Sequence, residues 1–150
     1  MVIDKSKGIL FMCVANSARS QMAEGIARQL STESTCIFSA GSTPATVNPF
    51  AIEAMSEMEI DISRHSSKAL AAIPMDQVDY VITLCAEEVC PYLPAKIETL
   101  HWPYPDPAAP GLSQAETRAS FRSVRNALKD RLTRFLATEG LLAEVPINHE

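Results

Sequence analysis

Apolar residues along the chain follow two rhythms. Short continuous runs occur at Gly8-Ile9-Leu10-Phe11-Met12, Thr35-Cys36-Ile37-Phe38-Ser39-Ala40, Tyr80-Val81-Ile82-Thr83-Leu84 and Ile97-Glu98-Thr99-Leu100-His101-Trp102. Their length and β-branched content predict buried strands. Between them, apolar positions recur every three or four residues. Met22, Ala23, Ile26, Ala27 and Leu30, with Gln21, Glu24 and Arg28 off the stripe, predict a helix from 20 to about 30. Asn48 as cap and Pro49 in the first turn open a second helix, whose core positions are Phe50, Ala51, Ala54, Met55 and Met58. A short helix is expected around Ala69-Leu70-Ala71. Phe121, Val124, Leu128, Leu132, Phe135 and Leu136 mark a long final helix, with its arginines and lysine on a solvated outer face. The tail after about 140 is expected to be loosely ordered.

Strands alternating with helices predict one α/β domain over 1–150, built on a four-stranded parallel sheet with helices on both faces. In such sheets the site lies beyond the carboxyl ends of the strands. Cys13, Cys85 and Asp106 each follow a predicted strand, so one sheet edge can gather all three. A chain of 150 residues is large enough for a full core. Its 47% hydrophobic and 21% charged content fits a soluble globular protein, and its net charge of −5 disfavours nucleic acid or an anionic membrane as partner. No run approaches a membrane span, and the first residues lack a signal-peptide core, so a cytoplasmic location and a monomer are expected. There, Cys13, Cys36, Cys85 and Cys90 read as catalytic, redox-active or metal-binding thiols rather than structural disulfides. No metal is expected: there is no C-x2-C pair, and His65, His101 and His149 lack ligand spacing. Cys36, inside an apolar run, is expected to be a core residue.

The chemistry concentrates in Cys13-Val14-Ala15-Asn16-Ser17-Ala18-Arg19-Ser20, a loop between the first strand and the first helix. Small loop residues let backbone N–H groups converge, and the helix aims its positive end at the same point. Arg19 adds a planar fork for a tetrahedral oxyanion. These groups also favour the thiolate form of Cys13, a nucleophile. Val14, Ala15, Asn16, Ser17, Ala18 and Arg19 thus form the expected oxyanion cradle.

In Cys85-Ala86-Glu87-Glu88-Val89-Cys90-Pro91 the two cysteines are five positions apart. On a regular helix that is a rise of about 7.5 Å, whereas a disulfide tolerates roughly 7 Å between Cα atoms. A helical segment would therefore have to unwind before this pair could bond, and Pro91 marks a place for the break. Asp106, between Pro105 and Pro107, sits on a stiffened loop from which a carboxyl can protonate a leaving oxygen. Trp102 and Tyr104 read as packing or pocket wall.

Taken together these residues resemble the low-molecular-weight tyrosine phosphatase superfamily, and more narrowly the arsenate reductases built on that fold. The matching pieces are the loop with Gln21-Met22-Ala23-Glu24-Gly25 behind it, Ser39-Ala40-Gly41, Asn48-Pro49, Ile60-Asp61-Ile62-Ser63, Val81-Ile82-Thr83-Leu84-Cys85 and Asp106-Pro107-Ala108. The resemblance implies a flavodoxin-like three-layer fold. It implies that Cys13 attacks arsenate, with phosphate or sulfate as competing oxyanions, that Ser20 helps keep Cys13 ionised, and that Asp106 acts as acid. Cys85 then attacks the arseno-cysteine, and Cys90 resolves the Cys13–Cys85 disulfide into Cys85–Cys90. Thioredoxin, or glutathione with glutaredoxin, supplies electrons. The spacer between Cys85 and Cys90 is shorter than in familiar thioredoxin-coupled members, which leaves both donors open. Some members bind potassium beside the loop. Asn16, Glu24 and Ser39 match that site, but Lys68 stands where an acidic ligand is expected, so no bound cation is expected. Two rival readings remain: a phosphatase using only Cys13, Arg19 and Asp106, and a non-catalytic oxyanion-binding module.

Overall fold

The computed structural model describes residues 7–13, 17–41, 45–85 and 96–143. Four strands, β1 (Gly8–Cys13), β2 (Cys36–Gly41), β3 (Tyr80–Cys85) and β4 (Glu98–Tyr104), form one parallel sheet in the order β2-β1-β3-β4. The helices are α1 (Arg19–Leu30), α2 (Pro49–Ser56) and α3 (Gln114–Thr138). The order places β2 on one side of β1 and β3 on the other. Beyond the carboxyl end of β1, the chain therefore leaves the switch-point crevice where α/β sheets build their sites.

The strands read as continuous apolar runs because β1 and β3 are covered on both faces. On one face Ile9, Phe11, Ile82 and Leu84 pack against Met22 and Ile26 of α1, Met55 of α2, and Phe121, Leu128 and Leu132 of α3. On the other, Leu10, Met12 and Val81 meet Ile73, Val78 and Ile97. That layer includes two short 3₁₀ turns, Leu70–Ala72 and Met75–Gln77. The first of these takes the place of the short helix expected around Leu70. Gly8 is required by close approach: a Cβ there would meet the Gln77 carbonyl oxygen at 1.8 Å.

β4 lies at the sheet edge and carries Pro103, which an edge tolerates. Its pairing shifts between Thr83↔His101 and Cys85↔Tyr104, so the bulge falls at the proline. Trp102 turns into the core, edge-on to Phe135 at 5.5 Å between centroids. Asn48 caps α2 as expected, its side-chain oxygen accepting from Phe50 N at 2.8 Å.

Three expectations are corrected. Cys36 begins β2 half-buried rather than inside the core. The arginines of α3 are not simply solvated. Arg125 is buried and donates to the Ala54 carbonyl and to Glu57 (both 2.8 Å), while Arg118 pairs with Glu53 and Arg122 with Glu57 (both 2.7 Å). Hydrogen bonds from Arg122 and Arg125 hold the Glu57 carboxyl at about 2, well below its ordinary value. The residues just after 140 are also tied down. Gly140, at φ +74°, ends α3, with Leu141 N donating to Leu136 O at 2.7 Å, and Ala143 N donates to Leu30 O at 2.7 Å. The rest of the expected loose tail, 144–150, lies outside the described residues.

Candidate active site

The sheet brings Cys13 and Cys85 to adjacent strand ends, since Met12 and Thr83 are register partners. Both are reduced thiols and nearly inaccessible, 3% and 2% exposed. A side-chain hydrogen bond joins them, and the Ser20 hydroxyl lies 3.0 Å from the Cys13 sulfur. These contacts pull Cys13 from 9.0 to about 5. The Cys85 hydrogen bond is the largest cause; Ser20, by side chain and backbone, and the Arg19 charge add to it, while burial opposes. At neutral pH Cys13 is therefore a thiolate, and Cys85 is its principal donor.

The first turn of α1 completes the local field. Its N-cap is Ala18, which supplies no side-chain cap, and the first turn holds no acidic residue. The positive end of the helix dipole therefore meets no carboxylate of its own first turn, and the Ser20 amide donates to the Cys13 sulfur. Arg19 and Ser20 occupy the first two helical positions and are buried. Nη1 of Arg19 donates to the Tyr104 carbonyl at 2.8 Å, fastening the cradle to the end of β4. Ser17 ties it to α2 by accepting from Asn48 N at 2.9 Å. Asp106 follows two residues beyond Tyr104. It is exposed, and its carboxylate accepts from Ala108 N at 2.9 Å, an Asx turn. Val14, Ala15, Asn16 and Cys90 lie outside the described residues.

Behind α1 lies a polar layer that the sequence reading grasped only at Glu24, Ser39 and Lys68. Glu24, buried, accepts from Ser39 at 2.5 Å and from Arg28 at 2.9 Å. Gln21 accepts from His65 Nδ1 at 2.9 Å and donates to the Ser66 carbonyl, which also accepts from Lys68 at 2.8 Å. Burial lowers the His65 pKa despite Glu24, whose carboxylate is 3.9 Å away. Two cations stand at this layer: Arg28 pairs with Glu24 at 2.8 Å, and the Lys68 ammonium donates to the Ser66 carbonyl, a donor set that suits a bound potassium ion poorly. The sequence signal missed was polarity at Gln21, a buried position one residue after Ser20. The contacts of Arg19 with a backbone carbonyl and of Thr83 with His101 (2.6 Å) carry no motif at all.

Comparison with known proteins agrees with this geometry. Residues 8–145 match the family model described as low molecular weight phosphotyrosine protein phosphatase. Arsenate reductase 2 of Staphylococcus saprophyticus is 41% identical over 131 residues, covering 86% of this chain and 95% of that protein. An arsenate reductase solved in its phosphate-binding state superposes with a TM-score of 0.74 at 34% identity, covering 88% of this chain and 98% of that one. A thioredoxin-dependent arsenate reductase of Corynebacterium glutamicum gives 0.71 at 28% identity, covering 91% and 63%.

Proposed function

The chain belongs to the low molecular weight phosphotyrosine protein phosphatase family, and we propose that it is an arsenate reductase working through three thiols. The observation that carries this reading is the buried pair of reduced thiols, Cys13 and Cys85, in hydrogen-bond contact beside Arg19 and an uncapped helix. A phosphatase needs the thiolate and the anion cradle but has no use for a second thiol against the first.

Arsenate is held by the cradle amides and Arg19, and the Cys13 thiolate attacks arsenic while Asp106 protonates the departing oxygen. Asp106 must leave its Asx turn, or use its second carboxylate oxygen, to do so. Ser20 and Cys85 keep Cys13 ionised until the adduct forms. Cys85 then attacks the Cys13 sulfur. Arsenite departs with the electron pair of the S–As bond, and the two thiols become one disulfide, so the two electrons gained by arsenic balance those lost by sulfur. Cys90 exchanges into that disulfide, leaving Cys85–Cys90 for an external dithiol to reduce. Likeness to the thioredoxin-dependent Corynebacterium protein supports thioredoxin as donor; glutathione with glutaredoxin is the alternative.

A single turnover of fully reduced protein with arsenate, without external reductant, tests the relay by intact mass and peptide mapping. Loss of two hydrogens with Cys85 linked to Cys90 is expected. The alternative is a phosphatase using Cys13, Arg19 and Asp106, which the family match favours. It is indicated if all thiols stay reduced while a phosphate ester is hydrolysed.

A further inference from the structure

Cys13 and Cys85 offer more than a nucleophile and its successor. Both sulfurs sit at the carboxyl ends of hydrogen-bonded neighbouring strands, both are reduced and buried, and a side-chain hydrogen bond links them. Two thiols held in this way form a preorganised chelate for a soft, thiophilic centre, because the entropy of bringing them together has been met by folding. The Arg19 fork and the helix end serve a tetrahedral anion. Neutral trivalent arsenic acid needs neither, and its arsenic is an electrophile for sulfur.

We propose that the reduced protein binds trivalent arsenicals as a second ligand class, bridged between the Cys13 and Cys85 sulfurs. Two As–S bonds form and two As–OH bonds break. The Cys85 thiol proton and one proton from solvent leave with the hydroxides as two waters, because Cys13 enters as a thiolate. Arsenic stays trivalent and no electrons move. The capture rests on the thiol pair alone; its meaning as capture of the reaction product rests on the function proposed above. On that reading the disulfide left by turnover is immune, and arsenite competes with arsenate only after the thiols have been restored.

The test uses reduced full-length protein mixed anaerobically with arsenite, with no arsenate present. Native mass should rise by one arsenous acid less two waters. Iodoacetamide mapping should show Cys13 and Cys85 protected while Cys36, half-buried at the opposite end of its strand, is still alkylated. Cys85→Ser should bind arsenite roughly 100-fold more weakly, through loss of the chelate. Cys90→Ser should retain the protection. If the Cys85 variant does not fold, the wild-type map decides alone. Alkylation of Cys13 and Cys85 at unchanged rates under saturating arsenite overturns the proposal, as does protection that maps to Cys85 and Cys90 instead. A protein that arsenite protects but that leaves arsenate unreduced keeps this inference and loses the reductase reading. Reduction without protection does the reverse.

Discussion

At Ser113 the first turn of α3 closes on itself. The serine accepts from Glu116 N at 3.1 Å, and the Glu116 carboxylate accepts from Ser113 N at 2.9 Å. At Ala18 the first turn of α1 has no such device, although the helix is more deeply buried. Both turns present orphan amides and a positive dipole end. α3 answers them with its own side chains and gains stability. α1 turns this end to Cys13 instead: the Ser20 amide and hydroxyl both reach the Cys13 sulfur, with the Arg19 charge beside it. The difference teaches that a helix end without a side-chain cap can be committed to a neighbouring buried thiol rather than being merely weak.

The strongest way to break this contrast is at Arg19. Arg19→Ala removes both a preorganised donor to the oxyanion and the tie to Tyr104. The rate of single-turnover arsenate attack, followed by quench and mass analysis, is expected to fall about 100- to 1000-fold. A smaller effect is expected at the donors to Cys13. The alkylation rate of wild-type Cys13 should follow a thiolate that persists until the pH falls to about 5. Because a hydrogen bond to a charged group is worth about 1.5–3 kcal/mol, Cys85→Ala should raise that midpoint by about one pH unit or more. Ser20→Ala should raise it less, following the order of the causes. Equal shifts, or none, would show that burial and helix field alone set the thiolate.

The same lowering has a sign for stability. The folded value lies below the ordinary 9.0, so the contribution of Cys13 is complete above about pH 9 and is lost as pH falls through about 5. Urea unfolding across that window should show wild-type stability declining on acidification relative to Cys13→Ser. The smallest effect sharpens the comparison from the other side. Ser113→Ala should cost about 1 kcal/mol in chemical denaturation, with the single-turnover rate unchanged. A change in rate would mean that the α3 cap is coupled to the site.

How much of this was legible depended on how local each signal was. The strands were readable because burial on both faces makes them continuous apolar runs, and the α1 stripe because burial of one face imposes a period of 3.6; the Asn48-Pro49 start of α2 is a local capping signal. The capping box at Ser113 and Glu116 is also written locally, as S-x-x-E ahead of the apolar stripe. Arg125 was misread as solvated. Its burial depends on Glu57 and the Ala54 carbonyl, which lie far away along the chain and close only when α3 crosses the end of α2. Cys36 was misplaced by one strand end, where the sheet no longer covers both sides.

By itself the sequence determined the order of strands and helices and the short stretch in which Cys13 and Arg19 stand together. Local chemistry suffices for these, because each depends on residues within a turn or two. Only the tertiary structure decided that Cys85 is the largest influence on the Cys13 thiol, that Arg19 grips the Tyr104 carbonyl, and that Ser39 donates to Glu24. The contacts at Arg19 and Ser39 join residues 85 and 15 positions apart, and the Cys13–Cys85 contact spans from β1 to β3. Their existence follows from sheet order and register, which no local pattern encodes: the order β2-β1-β3-β4 sets β3 beside β1 although β2 is its neighbour in sequence.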